Sequence, residues 1–350
     1  MDPLVSVIIP VYNARDYLRQ CLDSVVNQTW KNLQILCVDD SSTDDSLEIL
    51  REYARKDDRI QVFTKENEHV SMARNFALER VRGAYLLFLD SDDWLDPDTV
   101  EIAVQTAQTH AADVVLWSYI REMGTETRKK HIFDGDIVFD REAVRTRLYR
   151  RLIGPVGEET AHPENIDALC PACVKLYRAD LIREHQITFY DIRKTGTFED
   201  GLFNIEVFSH ARKAVFLDRY FYHYRRNRED SLTRVYKPLL PDQWDKLYGL
   251  MGSHIEERDL DDSFRAALSN RIALSLVGLG TNEMESSGSP VSKLRRIRML
   301  IRKPHCRKAL KSLDLRYLPI HWKLFFLGAK MGCAWGVYLL LLVIQKIRGR

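Results

Sequence analysis

The chain has 350 residues, enough for one large core with an appendage or for two domains. Its composition, 45% hydrophobic and 29% charged, is that of an ordinary globular protein and excludes a low-complexity or disordered chain. The net charge of +2 conceals an asymmetry: residues 291–350 hold 15 Lys/Arg and one acid, Asp314, so this tail carries +14 and the rest −12.

An acidic body with a basic tail points to an anionic partner for the tail. The start, Met1-Asp2-Pro3-Leu4, lacks a basic region followed by an apolar run. A cleaved signal peptide is therefore not expected, and a reducing, cytoplasmic setting is. The six cysteines are scattered. Cys170-Pro171-Ala172-Cys173 is a lone C-x-x-C without a second pair at zinc spacing, so no structural metal is expected there.

Val5–Pro10 is a continuous apolar run of the length and kind that suits a strand buried on both faces. Leu18, Cys21, Leu22, Val25 and Val26 then recur at helical spacing. Leu33–Val38 reads as the second strand and stops at Asp39-Asp40-Ser41-Ser42, where Ser42 or Thr43 can cap the next helix and Asp40 is read chiefly as a capping residue. Ile60–Phe63 is a third strand, Ser71–Val81 a helix and Tyr85–Leu89 a fourth strand. Asp90-Ser91-Asp92-Asp93 follows directly, with Asp93 read as turning the chain. Pro97 opens a helix to about His110, and Val114–Trp117 closes the series.

Strands alternating with helices of this length predict βαβ units and a largely parallel α/β sheet. Tyr12-Asn13, Asp39-Asp40, Glu66-Asn67 and Asp90–Asp93 all fall just past the carboxyl ends of strands, the edge where open α/β sheets bind ligands. Neither G-x-x-x-x-G-K-[ST] nor G-x-G-x-x-G follows the first strand, which removes the P-loop and dinucleotide readings. A carboxylate-rich edge can hold a pyrophosphate through a bridging divalent cation, with Mg²⁺ or Mn²⁺ the usual choice. Arg74 offers a basic partner.

Val7-Ile8-Ile9-Pro10-Val11-Tyr12-Asn13, Val38–Ser42, Ala73-Arg74-Asn75 and Phe88–Asp93 resemble, in order and spacing, glycosyltransferase family 2 with the GT-A fold. Lys175–Arg178, Phe198–Phe203 and Tyr222–Arg225 with Ser231-Leu232-Thr233 extend the resemblance over roughly Leu4–Thr233. The chain departs from the family pattern at His69, near where a glycine is usual, and at Val174, where an asparagine is.

The resemblance implies a Rossmann-like, mixed but mostly parallel sheet with flanking helices, and transfer of a sugar from a nucleotide donor. It implies that Pro10, Tyr12 and Asp39 cradle a uracil base, that Asp90 lies near the ribose, and that Asp92 ligates a divalent cation on the diphosphate. It makes Asp200 the general base of a single, inverting displacement. An aromatic face suits a base, and a carboxylate accepts from an imide N–H. A hydroxyl nucleophile needs a carboxylate within hydrogen-bond reach. Arg74, Arg225 and Ser231 are expected at the nucleotide. A nucleic-acid role for Tyr220–Arg228 is not supported, because no broader basic surface accompanies it.

Beyond about residue 235 helical patterns replace the α/β rhythm: Trp244–Ile255, Phe264–Gly278 and Ser292–Arg302, the last a basic amphipathic helix of the membrane-surface kind. Leu324–Ile344 is apolar apart from Lys330 and has basic flanks, so an in-plane or re-entrant helix on an anionic membrane is expected rather than a span. The expected organisation is a catalytic domain at 1–234, a helical, increasingly basic region at 235–320, and a membrane-associating helix at 321–350.

The resemblance implies a UDP-sugar-dependent transferase with a glycan or lipid-linked glycan acceptor, like enzymes of bacterial surface polysaccharide, and the basic, apolar tail places it as peripheral or monotopic on the cytoplasmic face of the cell membrane. The competing readings are a sugar nucleotidyltransferase, which would need a glycine-rich triphosphate loop in place of Pro10–Asn13, and a non-catalytic nucleotide-sugar scaffold, against which Asp92 and Asp200 count.

Overall fold

The computed structural model describes residues 2–124, 126–226 and 236–348. In chain order the elements are β1 (Val5–Val11), α1 (Arg15–Val26), β2 (Leu33–Asp39), α2 (Ser46–Ala54), β3 (Ile60–Thr64), α3 (His69–Leu78), β4 (Tyr85–Phe88), β5 (Trp94–Leu95) and α4 (Thr99–His110). Then come β6 (Val114–Met123), β7 (Glu126–Lys130), β8 (Ile137–Phe139), α5 (Arg141–Ala143), α6 (Arg150–Ile153), β9 (Lys175–Arg178), α7 (Ala179–Glu184), α8 (Ile192–Thr195), α9 (Glu199–His210) and β10 (Ala214–Arg225). Helices α10 (Leu240–Glu257), α11 (Asp262–Leu274), α12 (Leu276–Glu285), α13 (Pro290–Arg302), α14 (Pro304–Ser312), α15 (Ile320–Lys330) and α16 (Ala334–Arg348) complete the chain.

Two compact units result. One comprises residues 1–149, 168–194 and 198–230; the other comprises 150–167, 195–197 and 231–350.

The first unit is built on a mixed sheet of strand order β3-β2-β1-β4-β9-β6-β10-β5, with β7 on β6 and β8 on β10. Every residue of β1 and β2 is buried, as their uninterrupted apolar runs require. Strands β3, β2, β1 and β4 run parallel, and so do β6 and β10. The chain-order reading places β6 at the end of the parallel series. Instead β9 inserts antiparallel between β4 and β6, pairing Leu87 with Leu176 and Val115 with Leu176. Its four residues are too short to announce a strand by period alone.

The parallel half has one functional consequence. Val11 lies opposite Asp39, and Ile8 opposite Phe88, so Tyr12, Asp40 and Asp90 leave the sheet at the same edge. The turns there are tight. Asn13, Ser41 and His69 all adopt left-handed φ values, of 47°, 61° and 69°. Expected capping by Ser42 and Thr43 is replaced by a loop-to-loop tie: Asn13 N–H donates to Ser42 Oγ, and Thr43 N–H donates to Asn13 Oδ1. At the start of α2 it is Asp44 whose carboxylate accepts from Ser46 N–H.

The second unit is helical around its own core, formed by residues such as Leu274, Ile297, Leu310, Phe325, Phe326 and Val337. Arg271, fully buried, donates to the Leu152 and Ile153 carbonyls and pairs with Asp167 at 2.8 Å, which ties 150–167 to α11. The expected helix over Phe264–Gly278 ends at Leu274, and α12 restarts at Leu276. The amphipathic helix at Ser292–Arg302 forms as α13, capped by Ser289, but its apolar face of Leu294, Ile297, Leu300 and Ile301 is buried in the unit's own core. The apolar stretch Leu324–Ile344 is two helices, broken where Gly332 takes a φ of 70° that a side chain resists. No described helix is long and apolar enough to cross a membrane.

Candidate active site

Arg74 organises the carboxyl edge. It sits on α3, is 3% exposed, and points into a cluster of acids. Its Nη2 donates to Asp90 Oδ1 and its Nη1 to Asp200 Oδ1, both at 2.7 Å, with Glu199 Oε1 at 3.9 Å. The guanidinium also lies 5.0 Å from the Phe189 ring and 6.0 Å from that of Phe88. Burial works against its charge, but Asp200, Asp90 and Glu199 outweigh it and hold the guanidinium ionised. The neighbouring Asn75 fixes this aromatic wall, exchanging two hydrogen bonds with the backbone of Phe189.

Asp200 lies in the first turn of α9. Phe198, with a left-handed φ of 68°, precedes that turn, and its ring folds over Gly201, where any Cβ would meet it at 2.2 Å. The second carboxylate oxygen of Asp200 accepts from Ala172 N–H at 3.0 Å. That loop has its own support. Lys175 is fully buried and donates to the carbonyls of Leu169 and Pro171, at 2.9 and 2.6 Å. Asn204 donates to the Cys170 and Asp200 carbonyls, and Tyr177 to the Ala172 carbonyl. Burial pulls the Lys175 ammonium down to about 8, and burial followed by the Asp200 charge pushes the Glu199 carboxyl up to about 7.

Asp90 and Asp92 are half-buried at the end of β4. Asp93 does more than turn the chain. It is 1% exposed, accepts from Tyr222 Oη at 2.5 Å and from Arg225 N–H at 2.8 Å, and so locks β10 onto the acidic turn. Burial, then Asp92 and Asp90, pushes its carboxyl well above the usual carboxylate range. Arg225 braces the same turn through its side chain. Its Nε donates to the Asp92 carbonyl at 2.9 Å, Nη2 reaches Gln20, and the guanidinium stacks near Tyr17 and Trp94. His223 is hydrogen-bonded between Glu122 and Asp96 and stacks on Trp94.

Of the base-binding candidates, Tyr12 is 49% exposed at the strand end, an open aromatic face rather than a packed one. Asp39 is 2% exposed. Its Oδ2 accepts from Ser42 N–H, while Oδ1 is buried and accepts no hydrogen bond from any described residue. Pro10 is buried inside β1. Asp40 serves the start of α3, accepting from Glu68 N–H and from Lys65. Ser231, the remaining candidate, lies outside the described residues.

Among the described residues no group of three or more His, Cys, Asp or Glu is placed to hold a metal. A cation shared with a diphosphate needs only one or two protein carboxylates, so a carboxylate such as Asp92, half-buried after β4, is chemically suited to it.

The model of the family described as Glycosyl transferase family 2 matches residues 6–185, more than half of the chain. The chain belongs to glycosyltransferase family 2. Among relatives of this chain, the glycosyltransferase GlyA of Streptococcus pneumoniae is 36% identical over 236 residues, 67% of this chain and 32% of its own. The poly(ribitol-phosphate) beta-glucosyltransferase of Bacillus spizizenii is 30% identical over 277 residues, 75% of this chain and 38% of its own. The chain thus spans about a third of the length of these curated relatives. The crystal structure of S. aureus TarS 1–349 in complex with UDP-GlcNAc superposes with a TM-score of 0.70 at 19% identity, covering 98% of this chain and 91% of that one. At that identity the likeness speaks for the fold alone, a GT-A-like mixed α/β unit with a helical C-terminal region.

Sequence reading named Arg74, Asp90, Asp92 and Asp200 but gave Lys175, Asn204 and Tyr222 no role. The available signal was charge out of place: Lys175 interrupts the apolar run Ala172–Tyr177, where an unpaired ammonium is costly.

Proposed function

We propose that this transferase moves a sugar from a UDP-sugar to a hydroxyl of a glycan or lipid-linked glycan in one inverting displacement. The observation that carries the reading is the Arg74 clamp, which fixes the base candidate Asp200 and the donor-side Asp90 on one guanidinium. The buried Asp39 Oδ1 is an acceptor in want of a donor, and the imide N–H of uracil supplies one. Tyr12 offers its open ring to the base face. The UDP-GlcNAc complex of TarS supports this choice of nucleotide, and the poly(ribitol-phosphate) relative supports a polymeric acceptor.

In this account Asp90 receives the ribose. Asp92 holds a divalent cation, Mn²⁺ or Mg²⁺, that neutralises charge on the diphosphate when bound. Asp200 has one oxygen held by Arg74 and the other by Ala172 N–H, so its plane is fixed and its remaining lone pairs are open to the acceptor. It takes the hydroxyl proton as that oxygen bonds to the anomeric carbon and the carbon–diphosphate bond breaks, with UDP leaving on the opposite face. A single assigned base suits inversion.

The test is a panel of nucleotide sugars with and without Mn²⁺, read by thermal shift and by release of nucleoside diphosphate. The reading predicts protection by UDP and UDP-sugars and slow UDP release from one of them. Preference for a guanosine or cytidine nucleotide would contradict the base assignment.

A further inference from the structure

Helix α16 is apolar on both sides. Ala334, Val337, Tyr338 and Leu341 are buried in the second unit's core, while Trp335, Leu339, Leu342 and Val343 are 39–56% exposed. These four recur at i, i+4, i+7 and i+8, so they form one continuous outer stripe. Helix α15 repeats the arrangement. Trp322, Phe325, Phe326 and Ala329 are buried, and Ile320, Leu324 and Leu327 stand out at i, i+4 and i+7. Met331, in the short connection, is 74% exposed. Isolated apolar residues on a surface need no explanation. Consecutive helices with an apolar stripe on either side do, because a helix apolar all round belongs to an interior or to a lipid phase.

Charge selects the cover. Residues 291–350 carry +14. The one acid, Asp314, already pairs with Arg316 at 2.7 Å. Helices α13 and α14 expose Arg295, Arg298, Arg302, Arg307, Lys308 and Lys311, with Met299 61% exposed among them. A second copy of the chain would set this surface against an equal positive one, and like charge opposes that pairing. An anionic bilayer offers an apolar phase beneath a negative surface. The helices have 11 and 15 residues, short of the roughly 20 that a span requires, so they must lie in the plane of the interface.

We propose that the outer stripe of α15 and α16 is an in-plane docking face for an anionic phospholipid bilayer. Trp335, Leu339, Leu342 and Val343 enter the boundary between headgroups and acyl chains, and the exposed cations of α13 and α14 supply the attraction. The assignment stands on the second unit alone and does not depend on which sugar nucleotide the enzyme uses.

The full chain is incubated with vesicles of phosphatidylcholine, with or without phosphatidylglycerol, and bound protein is measured by co-sedimentation. Binding to the mixed vesicles is expected, together with quenching of Trp335 fluorescence by brominated acyl chains that Trp335→Phe removes. Leu339→Glu with Val343→Glu is expected to weaken binding by about tenfold or more while far-UV circular dichroism stays unchanged, since both side chains face outward. Arg298→Glu with Arg302→Glu is expected to weaken binding to the mixed vesicles selectively. Three results would overturn the proposal: no vesicle binding, binding indifferent to the Leu339/Val343 pair, or concentration-dependent self-association that shields Trp335 without lipid.

Discussion

Arg74 and Asp200 lie 126 residues apart in the chain and 2.7 Å apart in the fold, and the same guanidinium reaches Asp90 with its other arm. One buried cation thus joins the strand end proposed for the donor to the helix that carries the proposed base. A planar fork can satisfy two carboxylates at fixed geometry, and an ammonium cannot. Arg74→Lys is therefore expected to lower kcat/KM by at least about 100-fold, because a displacement of about 1 Å at the reacting groups costs that much. Steady-state kinetics on the Lys and Met variants check this, with Met the more damaging for leaving both acids unpaired.

Lys175 acts on Asp200 at one remove, through the loop whose Ala172 N–H reaches that carboxylate. Lys175→Met removes the donor from the buried Leu169 carbonyl and the half-buried Pro171 carbonyl and frees the loop. The expected signature is a split: kcat falls by about 10- to 100-fold while the KM for the nucleotide sugar stays near the parent value. Equal losses in both would make the lysine a general stability residue.

Glu199 gives a pH test. Its carboxyl sits at about 7 in the folded chain, against an ordinary value of 4.5, so folding favours its protonated form. That contribution is fully present below about pH 4.5 and is lost as pH rises through about 7. Glu199→Gln keeps the neutral shape and cannot ionise. The unfolding temperature of the variant should gain on that of the parent as pH climbs across this window, and parallel curves would contradict the assignment.

His69 begins α3 with a φ of 69°, near the place where the family pattern carries glycine. A left-handed residue with a side chain costs roughly 1–2 kcal/mol, and glycine's extra freedom in the unfolded chain returns roughly 0.5–1. His69→Gly is expected to stabilise the protein by about 1 kcal/mol in urea unfolding, with little effect on catalysis.

The sequence made the parallel half of the sheet and its acidic edge legible because both are local. An apolar run that stops at carboxylates needs no distant information, and Asp39, Asp90 and Asp92 stand at such strand ends, while their individual roles and that of Arg74 on α3 rested on the family resemblance. The antiparallel insertion of β9 was hidden, since it depends on pairing Leu176 with both Leu87 and Val115. The second role of Asp93, beyond turning the chain, was hidden for the same reason: its partner Tyr222 is 129 residues away. In the helical unit the sequence showed that α13 was amphipathic but could not show which side met protein. Its apolar face turned inward, and the uncovered apolar surface lies on α15 and α16 instead.

The central claim is a division of labour, with the acidic turn after β4 serving the leaving group and Asp200 activating the nucleophile. Asp200→Asn tests it most directly, with UDP binding measured by calorimetry alongside sugar transfer to acceptor. The account predicts UDP affinity within about threefold of the parent and transfer reduced by at least about 100-fold, the scale of general-base catalysis. Transfer at the parent rate, or loss of UDP binding in this variant, would contradict it.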